Sequence, residues 1–189
     1  EYNWFGFHDS FANRCSTSRG LPVVPEEFHD EIGKLRFSLE SDRDVISGLY
    51  RDTFDGVIAG AVELDWFRLG WNFPLQKLVP VLMATRTLEK LYLQYNQLTG
   101  AIPRELGQLT QLKELDMYYN ELTGAIPREL GQLTQLKKLD LGGNHCELKK
   151  LVRGSNQLTG AIPVELGQLT HLKELKLNNN QLTGAIPRE

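Results

Sequence analysis

The residue types that catalysis and metal binding require occur in this sequence, but their spacing suits neither. His8, Asp9 and Ser10 are the residue types of a hydrolase triad, yet three contiguous side chains cannot adopt the geometry that a triad needs. His145 and Cys146, taken with distant residues of the same types, lack zinc-site spacing such as CxxC or HExxH. No glycine-rich phosphate loop occurs. We therefore predict no enzymatic activity, no metal and no cofactor.

Aromatic residues recur at regular spacing and could bind a ligand rather than react with one. Trp71, Tyr95 and Tyr119 are 24 residues apart. On neighbouring strands about 4.8 Å apart they would form an aromatic strip. Further aromatic residues at neighbouring positions of the same strands would join it, namely Trp66, Tyr92 and Tyr118. Such residues combine large contact area with a polar tip and are common binding anchors. The alternative is that the rings stack on one another and stabilise an exposed face.

A basic segment is the second candidate site. Lys149, Lys150 and Arg153 follow Lys137 and Lys138 by about half of the 24-residue period. They could pair with an acidic partner and raise the association rate, or they could form a solvated edge. The net charge of −3 and the pI of 5.9 argue against nucleic acid as the partner.

Length and composition set the broad class of protein. The chain has 189 residues, enough for one domain with a buried core. Hydrophobic residues make up 41% and charged residues 24%, which excludes intrinsic disorder. No apolar run approaches the roughly 18 residues of a membrane span. Cys15 and Cys146 allow at most one disulfide, so the redox compartment stays open.

The region from residue 88 onward repeats itself. The string LTGAIP occurs at 98–103, 122–127, 158–163 and 182–187. Before it, in LEKLYLQYN (88–96), leucines alternate with polar or amphipathic neighbours, as in a strand with one buried face. Asparagine then favours a bend, glycine permits close backbone approach, and proline blocks continuation of a sheet. Each coil is therefore predicted to be a strand, a bend and a short helical return, and stacking of coils buries the leucines.

A degenerate earlier unit is predicted from the same period. Counting back 24 residues from Asn96 reaches Asn72, and this register assigns the strand positions to Leu64, Phe67 and Leu69. Residues 1–63 are predicted to be a cap outside the repeats, partly helical from Ser41, or alternatively decayed repeats.

At these residues the sequence resembles the plant-type leucine-rich repeat. The family unit reads LxxLxLxxNxLxGxIPxxLGxLxx, and residues 112–135 read LKELDMYYNELTGAIPRELGQLTQ. The match covers about 88–189 well, 64–87 poorly and 1–63 hardly at all. The resemblance implies an α/β fold, a right-handed curved solenoid over 64–189. Its parallel sheet would lie on the concave face, with short helical or irregular returns and an N-terminal cap. The aromatic strip would then lie on the concave face.

The resemblance also implies how the protein works. The family is known chiefly from receptor ectodomains, receptor kinases and secreted inhibitors, which bind other molecules. We therefore expect a non-catalytic, receptor-like module that recognises a protein or peptide. The alternatives are the recognition segment of a larger receptor kinase, an inhibitor of a secreted hydrolase, and a non-functional repeat fragment. The family favours an extracellular location, whereas the lack of a paired-cysteine cap and of any Asn-x-Ser/Thr site favours an intracellular one.

Two irregularities interrupt the repeats. The strand motif at 136–144 recurs at 148–156, although a coil needs about 20–29 residues to close. Arg153 takes the place of a strand leucine, and burying its charge would be costly. We predict that 136–141 stays in the sheet while about 142–155 bulges outward. The bulge would be either a functional loop or the result of a 12-residue deletion by recombination between near-identical repeats. The last unit is incomplete at Glu189, which favours a truncated fragment and predicts that Leu177, Leu182 and Ile186 face solvent.

Overall fold

The computed structural model describes residues 24–27, 47–52, 54–143 and 156–187. From residue 63 onward the chain forms successive coils, and their strands pair in parallel in two sheets. Short 3-10 helices connect the strands on the return side of each coil. The predicted leucine-rich α/β fold is confirmed.

Two sheets run across the coils. The first contains, in order, β1 (Glu63–Asp65), β2 (Lys90–Tyr92), β4 (Glu114–Asp116), β6 (Lys138–Asp140) and β8 (Glu174–Lys176). The second contains β3 (Thr99–Ala101), β5 (Glu121–Ala125), β7 (Gln157–Gly160) and β9 (Gln181–Leu182). All pairs are parallel, because each coil brings the chain back to the side from which it started.

The segments that return the chain from one strand to the next begin after a proline, and neighbouring segments lie close together at a glycine. The 3-10 helices are Leu75–Leu78, Arg104–Gln108, Arg128–Gln132 and Val164–Gln168, and the first runs on into helix α1 (Val79–Ala84). Each 3-10 helix follows a proline, such as Pro103 with φ −65°. A Cβ atom added to Gly131 would collide with the backbone carbonyl of Glu165 in the next coil. Glycine therefore sets how closely neighbouring returns approach each other.

Leucines fill the space between the sheets and the returns. In the strands of the first sheet, Leu91, Leu115 and Leu139 are fully buried, while the residues on either side of each are half-buried, apart from Asp116 and Asp140, which are 6% and 5% exposed. This is the alternation predicted from the sequence. A single coil has no second layer to cover these side chains, so their burial depends on the coils above and below.

Asparagines join neighbouring coils. Asn120, which has no exposed surface, donates from Nδ2 to the carbonyl oxygens of Leu93 (3.0 Å) and Met117 (3.1 Å). Its Oδ1 accepts the backbone N–H of Leu98 at 3.1 Å. Equivalent bonds are made by Asn96, Asn156 and Asn180. The side chain therefore satisfies backbone groups at the bend that no strand can pair.

The half-period interval is accommodated without a break in the sheet. Strand β6 lies between β4 and β8, and the N–H of Gly143 still donates to the carbonyl of Asn178 (3.0 Å). The coil resumes at Asn156, whose Nδ2 donates to the carbonyl oxygens of Met117 (3.0 Å) and Leu141 (3.1 Å). Gly142 and Gly143, predicted to leave the coil, are thus in register. Residues 144–155 lie outside the described residues.

The N-terminal end of the coils is covered by helical residues. Residues 47–52 and 54 are helical, followed by a π-helical turn at Asp55–Ala59. Tyr50 and Phe54 are buried against Val81 of α1, with Trp66 at the edge of this small cluster. The candidate residues His8, Asp9, Ser10 and Cys15, and the predicted helix start at Ser41, lie outside the described residues.

At the other end, the last coil is partly exposed. Ile186 is 81% exposed and Leu175 is 45% exposed. Leu177 and Leu182 were also predicted to face solvent, but both are half-buried because they pack against the core of the preceding coil. Within the described residues, every helix is too short or too polar to cross a membrane.

Candidate recognition surface

The outward side of the first sheet carries the side chains that alternate with the buried leucines. We call it the strand face: the first and third residues of each strand, and the two surface positions that follow. The first residues alternate in charge along the sheet, being Glu63, Lys90, Glu114, Lys138 and Glu174. The third residues are Asp65, Tyr92, Asp116, Asp140 and Lys176. Charges of both signs therefore alternate along the sheet, and aromatic residues follow its first three strands.

Four aromatic side chains after the first three strands form one cluster. The ring centroids of Phe67 and Tyr95 are 5.5 Å apart and those of Tyr95 and Tyr118 are 5.3 Å apart, both edge-to-face. Tyr119 lies 5.1 Å from Tyr95 and 6.0 Å from Tyr118. We call these four residues the aromatic cluster. Phe67 is 44% and Tyr95 is 40% exposed, so the cluster offers apolar area to solvent.

The structure brings together some residues of the predicted aromatic strip and places those of the first coil elsewhere. Tyr95, Tyr118 and Tyr119 lie together as expected, and Tyr92 is nearby on β2. Trp71 does not join them, because it is only 4% exposed and belongs to the hydrophobic core. Trp66 is half-buried against the same core, with its ring 5.2 Å from that of Trp71.

The error comes from the register of the first coil. Leu64 pairs with Leu91, an offset of 27 residues rather than the predicted 24. The N–H of Trp71 donates to Asn96 Oδ1, as the N–H of Leu98 does to Asn120 Oδ1. Trp71 therefore occupies the buried leucine position of LTGAIP.

Phe67 is the functional candidate that sequence reasoning missed, since the 24-residue register placed it inside the core. One signal could have found it. The tripeptide Glu-Leu-Asp occurs at 63–65 and again at 114–116, and both copies are strands of the first sheet. Aligning these copies puts Phe67 level with Tyr118, on the outward side.

Two tyrosines of the cluster hold a backbone conformation that is unusual for large residues. Tyr95 and Tyr119 have φ values of 59° and 58°, in the left-handed region. Arg68 and Asn179, at the same place in the first and a later coil, have φ values of 53° and 57°. Asparagine tolerates this conformation, whereas an aromatic residue pays a strain cost of about 1–3 kcal/mol. The coil therefore imposes this bend on arginine and tyrosine as well as on asparagine.

Ion pairs and hydrogen bonds tie the polar groups of neighbouring strands together. Lys138 Nζ lies 2.7 Å from Asp116 Oδ2, and Lys90 Nζ lies 3.1 Å from Glu63 Oε2. The Tyr92 hydroxyl donates to Glu114 Oε2 at 2.7 Å. Burial and this hydrogen bond raise the pKa of Tyr92 well above its usual range. Burial, together with Tyr95 and the charge of Asp140, raises the pKa of Tyr118. Both phenols therefore stay protonated at neutral pH.

Asp140 carries a charge that the fold does not favour. It is only 5% exposed, and burial raises its pKa more than the N–H of Gly142, bonded to Oδ1 at 3.0 Å, lowers it. The charge of Asp116 raises this pKa further. In the unfolded chain the pKa of an aspartate is about 3.9. Between that pH and the higher folded pKa, the native state binds more protons, so the free energy of unfolding falls as pH rises.

We predict that Asp140→Asn changes this pH dependence. Asparagine keeps the acceptor for the N–H of Gly142 and removes the buried charge, while the ion pair lost at 3.7 Å involves the half-exposed Lys176. The stability of the variant relative to the original chain should therefore increase as pH rises from about 3 to 7. Urea unfolding at several pH values measures the difference. A difference that stays constant or shrinks would contradict the prediction.

Only part of the predicted basic segment belongs to the described residues. Lys149, Lys150 and Arg153 lie outside the described residues, and Lys138 is engaged by Asp116. In the part of the chain that is described, no three His, Cys, Asp or Glu side chains come together in a group that could hold a metal ion. The strand face is thus the feature on which a functional argument can rest.

The stacked coils, the two parallel sheets and the asparagine bonds define a class of repeat protein, and comparison with known proteins identifies it. Residues 86–145 and residues 171–189 both match models of the leucine-rich repeat. The chain is a leucine-rich repeat protein, and this module is itself non-catalytic. A search of curated proteins found no match.

Similar solved structures come from plants. A chain of the BIR3–SERK2 complex from Arabidopsis thaliana is 30% identical with a TM-score of 0.54, covering 66% of this chain and 58% of that one. The leucine-rich-repeat ectodomain of the receptor kinase SOBIR1 from the same species is 28% identical with a TM-score of 0.52, covering 66% and 59%. A plant ice-binding protein is 31% identical with a TM-score of 0.53, covering 67% and 36%.

These comparisons set two bounds on function. The aligned region is less than two thirds of each similar chain. Proteins with this architecture also differ in their roles, since one is a receptor ectodomain and another an ice-binding protein. The fold therefore defines a scaffold, and function has to be argued from the residues on its surface.

Proposed function

We propose that this protein is a recognition module that binds a protein or peptide through the strand face, with the aromatic cluster as its anchor. The observation that carries the proposal is the cluster itself. Phe67, Tyr95, Tyr118 and Tyr119 make ring contacts of 5.1–6.0 Å on the outward side of the sheet, and two of them remain at least 40% exposed. Clustered aromatic residues at a surface are the usual centres of binding energy.

The backbone hydrogen bonds that hold two residues of the aromatic cluster support a role in binding. Tyr95 and Tyr119 lie on bends fixed by hydrogen bonds to the next coil, from the N–H of Tyr95 to the carbonyl of Tyr118 and from that of Tyr119 to the carbonyl of Gly142, both 3.0 Å. Arg68 and Asn179 have the same left-handed backbone at the equivalent bends, so the coil itself fixes the direction in which the two tyrosine rings project. A rigid anchor loses little entropy on binding.

The similar structures support a binding role of the same kind. One is a complex between two plant proteins, and another is the ectodomain of a receptor kinase. We extend this to the whole protein only as a proposal, in which the chain is the recognition segment of a receptor-like signalling protein. A reading frame that continues into an apolar segment of about 20 residues and kinase motifs would support that role. An inhibitor would instead end after a capping coil.

The recognition proposal is tested with the double variant Tyr95→Asn and Tyr119→Asn. Asparagine suits the left-handed backbone, so the variant removes the rings without adding strain. Peptides are selected on the original protein from a random dodecapeptide display library, and their dissociation constants are measured for both proteins. Loss of two anchors should weaken binding at least about tenfold, corresponding to about 1.4 kcal/mol.

The matched control is the double variant Gln132→Ala and Gln168→Ala on the return side of the coils, where both side chains are exposed. It should bind the selected peptides as the original protein does. Circular dichroism confirms that all variants remain folded. Unchanged binding by a folded double asparagine variant would remove the aromatic cluster as the recognition site.

A further inference from the structure

We propose that one end of the aromatic cluster is a seat for a cationic side chain of the ligand, an arginine or a lysine. The seat is formed by the rings of Phe67 and Tyr95 and the carboxylate of Asp65. The inference rests on the proposed recognition function and names the chemistry of its partner.

The rings provide the apolar and electrostatic part of the seat. Phe67 and Tyr95 meet edge-to-face, with an interplanar angle of 80°, and each keeps at least 40% of its surface exposed. The face of an aromatic ring carries negative electrostatic potential, so it attracts a cation that lies within about 6 Å of the ring centre. Arginine gains most, because its flat guanidinium can also stack on the ring.

Asp65 is a carboxylate of the strand face that lacks a lysine partner, unlike the aspartates at the equivalent position in later coils. At the equivalent position, Asp116 has Lys138 at 2.7 Å and Asp140 has Lys176 at 3.7 Å. Next to Asp65, the corresponding lysine is Lys90, which is paired with Glu63. Asp65 is exposed and forms no ion pair with any other residue that the structure describes.

The position of this carboxylate is fixed beside the rings. The N–H of Phe67 donates to Asp65 Oδ1 at 3.1 Å, which holds the carboxylate at the base of the ring. Asp65 is also the register partner of Tyr92, one strand away and three residues before Tyr95. A cation stacked on the ring of Phe67 or Tyr95 is thus within the same part of the strand face as an unpaired negative charge.

A buried acceptor also lies in the same region. The Oε1 atom of Gln94 is buried and, within the described residues, accepts no hydrogen bond. Gln94 follows strand β2 at the level of Phe67, since the N–H of Arg68 donates to its carbonyl oxygen at 3.1 Å. Buried acceptors without partners are rare in folded proteins. This oxygen has no surface that a ligand could touch, so the cation seat depends on Asp65 and the two rings alone.

The wider strand face favours the same sign of ligand charge. Its residues include six carboxylates and four cations, a net charge of −2: the carboxylates are Glu63, Asp65, Glu114, Asp116, Asp140 and Glu174, and the cations are Arg68, Lys90, Lys138 and Lys176. A cationic ligand would be attracted during approach, whereas an anionic one would be repelled. A neutral aromatic ligand would use the rings but leave Asp65 unpaired.

The experiment compares two short peptides that differ only in charge. Acetyl-Gly-Arg-Gly-amide and its citrulline analogue are titrated into the isotopically labelled protein, and backbone amide shifts of Asp65, Phe67 and Tyr95 report binding. The arginine peptide should bind about three- to tenfold more tightly, as expected for an exposed cation–π contact with one added ion pair. Equal affinities for the two peptides would overturn the inference.

Variants assign the preference to the seat. Asp65→Asn should reduce the affinity for the arginine peptide to near that of the citrulline peptide, and Phe67→Leu should weaken the arginine peptide about two- to fivefold. Asp55→Asn, an exposed carboxylate on the π-helical turn, removes the same charge elsewhere and should leave the preference intact. A preference that survives Asp65→Asn, or that Asp55→Asn also abolishes, would show general charge attraction and overturn the seat.

The two proposals fail separately. Suppose that the selected peptides lose affinity in the double asparagine variant, but the arginine and citrulline peptides bind equally well. Recognition by the aromatic cluster is then supported and the cation seat is wrong. If the arginine peptide binds as expected while the selected peptides are unaffected by the double variant, the seat stands and the cluster is not the main recognition site.

Discussion

Gly131→Ala is expected to destabilise the protein by about 3 kcal/mol, the upper end of the usual range for overpacking. A Cβ atom at this position would overlap the backbone carbonyl of Glu165 in the next return. Backbone cannot move aside as a flexible side chain can, so the two coils would have to separate along the whole contact. Chemical unfolding monitored by circular dichroism measures the loss. Gly107→Ala should behave alike, because its Cβ would meet Glu129 in the same way.

Gly167→Ala is the matched control. This glycine has the same neighbours in sequence and the same place in its 3-10 helix, but a Cβ atom there would meet nothing within 4 Å. Alanine also restricts the unfolded chain more than glycine does, so we expect no loss and a gain of up to about 1 kcal/mol. If alanine destabilised the protein equally at Gly131 and Gly167, the requirement for glycine would come from the helix conformation and not from the stacking of coils.

Asn120→Ala is expected to cost about 2–4 kcal/mol. The N–H of Leu98 would lose its acceptor inside the core, which carries the full penalty for a buried unpaired donor. The carbonyl oxygens of Leu93 and Met117 would each keep one other asparagine donor, so their loss is smaller. The removed amide also leaves a space that the packed leucines cannot readily fill. Thermal and urea unfolding give the value.

Asn180→Ala in the last described coil is the comparison. Asn180 makes the same kinds of bonds, to Leu158, Leu141 and Leu177, but it is half-buried, so water can replace what the side chain supplied. The expected cost is about 1 kcal/mol. An equal cost at the two positions would mean that burial does not govern the contribution of these asparagines.

The coil itself could be predicted because its signals are local. Leucines at every second position favour a strand with one buried side, and proline begins the return after each bend. Four copies of LTGAIP make the period certain and require stacking. These features depend on residues near one another in the chain, so they can be recognised without knowing which coil packs on which.

The candidate site was only partly predictable because its first coil departs from the period. Tyr95, Tyr118 and Tyr119 follow regular repeats and lie where the sequence places them. Trp71 and Phe67 exchange roles, since three additional residues separate Leu64 from Leu91. A shift of this kind moves a large side chain between core and surface, and local alternation alone does not reveal it.

The chemical pairing between coils was likewise beyond sequence reasoning. The predicted bulge at about 142–155 leaves Asn156 to rejoin the coil, but which carbonyl groups it binds, those of Leu141 and Met117, is known only from the structure. Whether Asp65, Asp116 or Asp140 finds a lysine depends on the residue that the next coil brings alongside.

Alternation and period within the chain were therefore enough to predict the leucine-rich coil, its buried leucines and the nearness of Tyr95, Tyr118 and Tyr119. The register of the first coil, the burial of Trp71 and the unpaired carboxylate of Asp65 became known only from the folded arrangement. The physical reason is the range of the forces: side-chain alternation acts between adjacent residues, whereas packing and hydrogen bonds select partners that lie more than twenty residues apart.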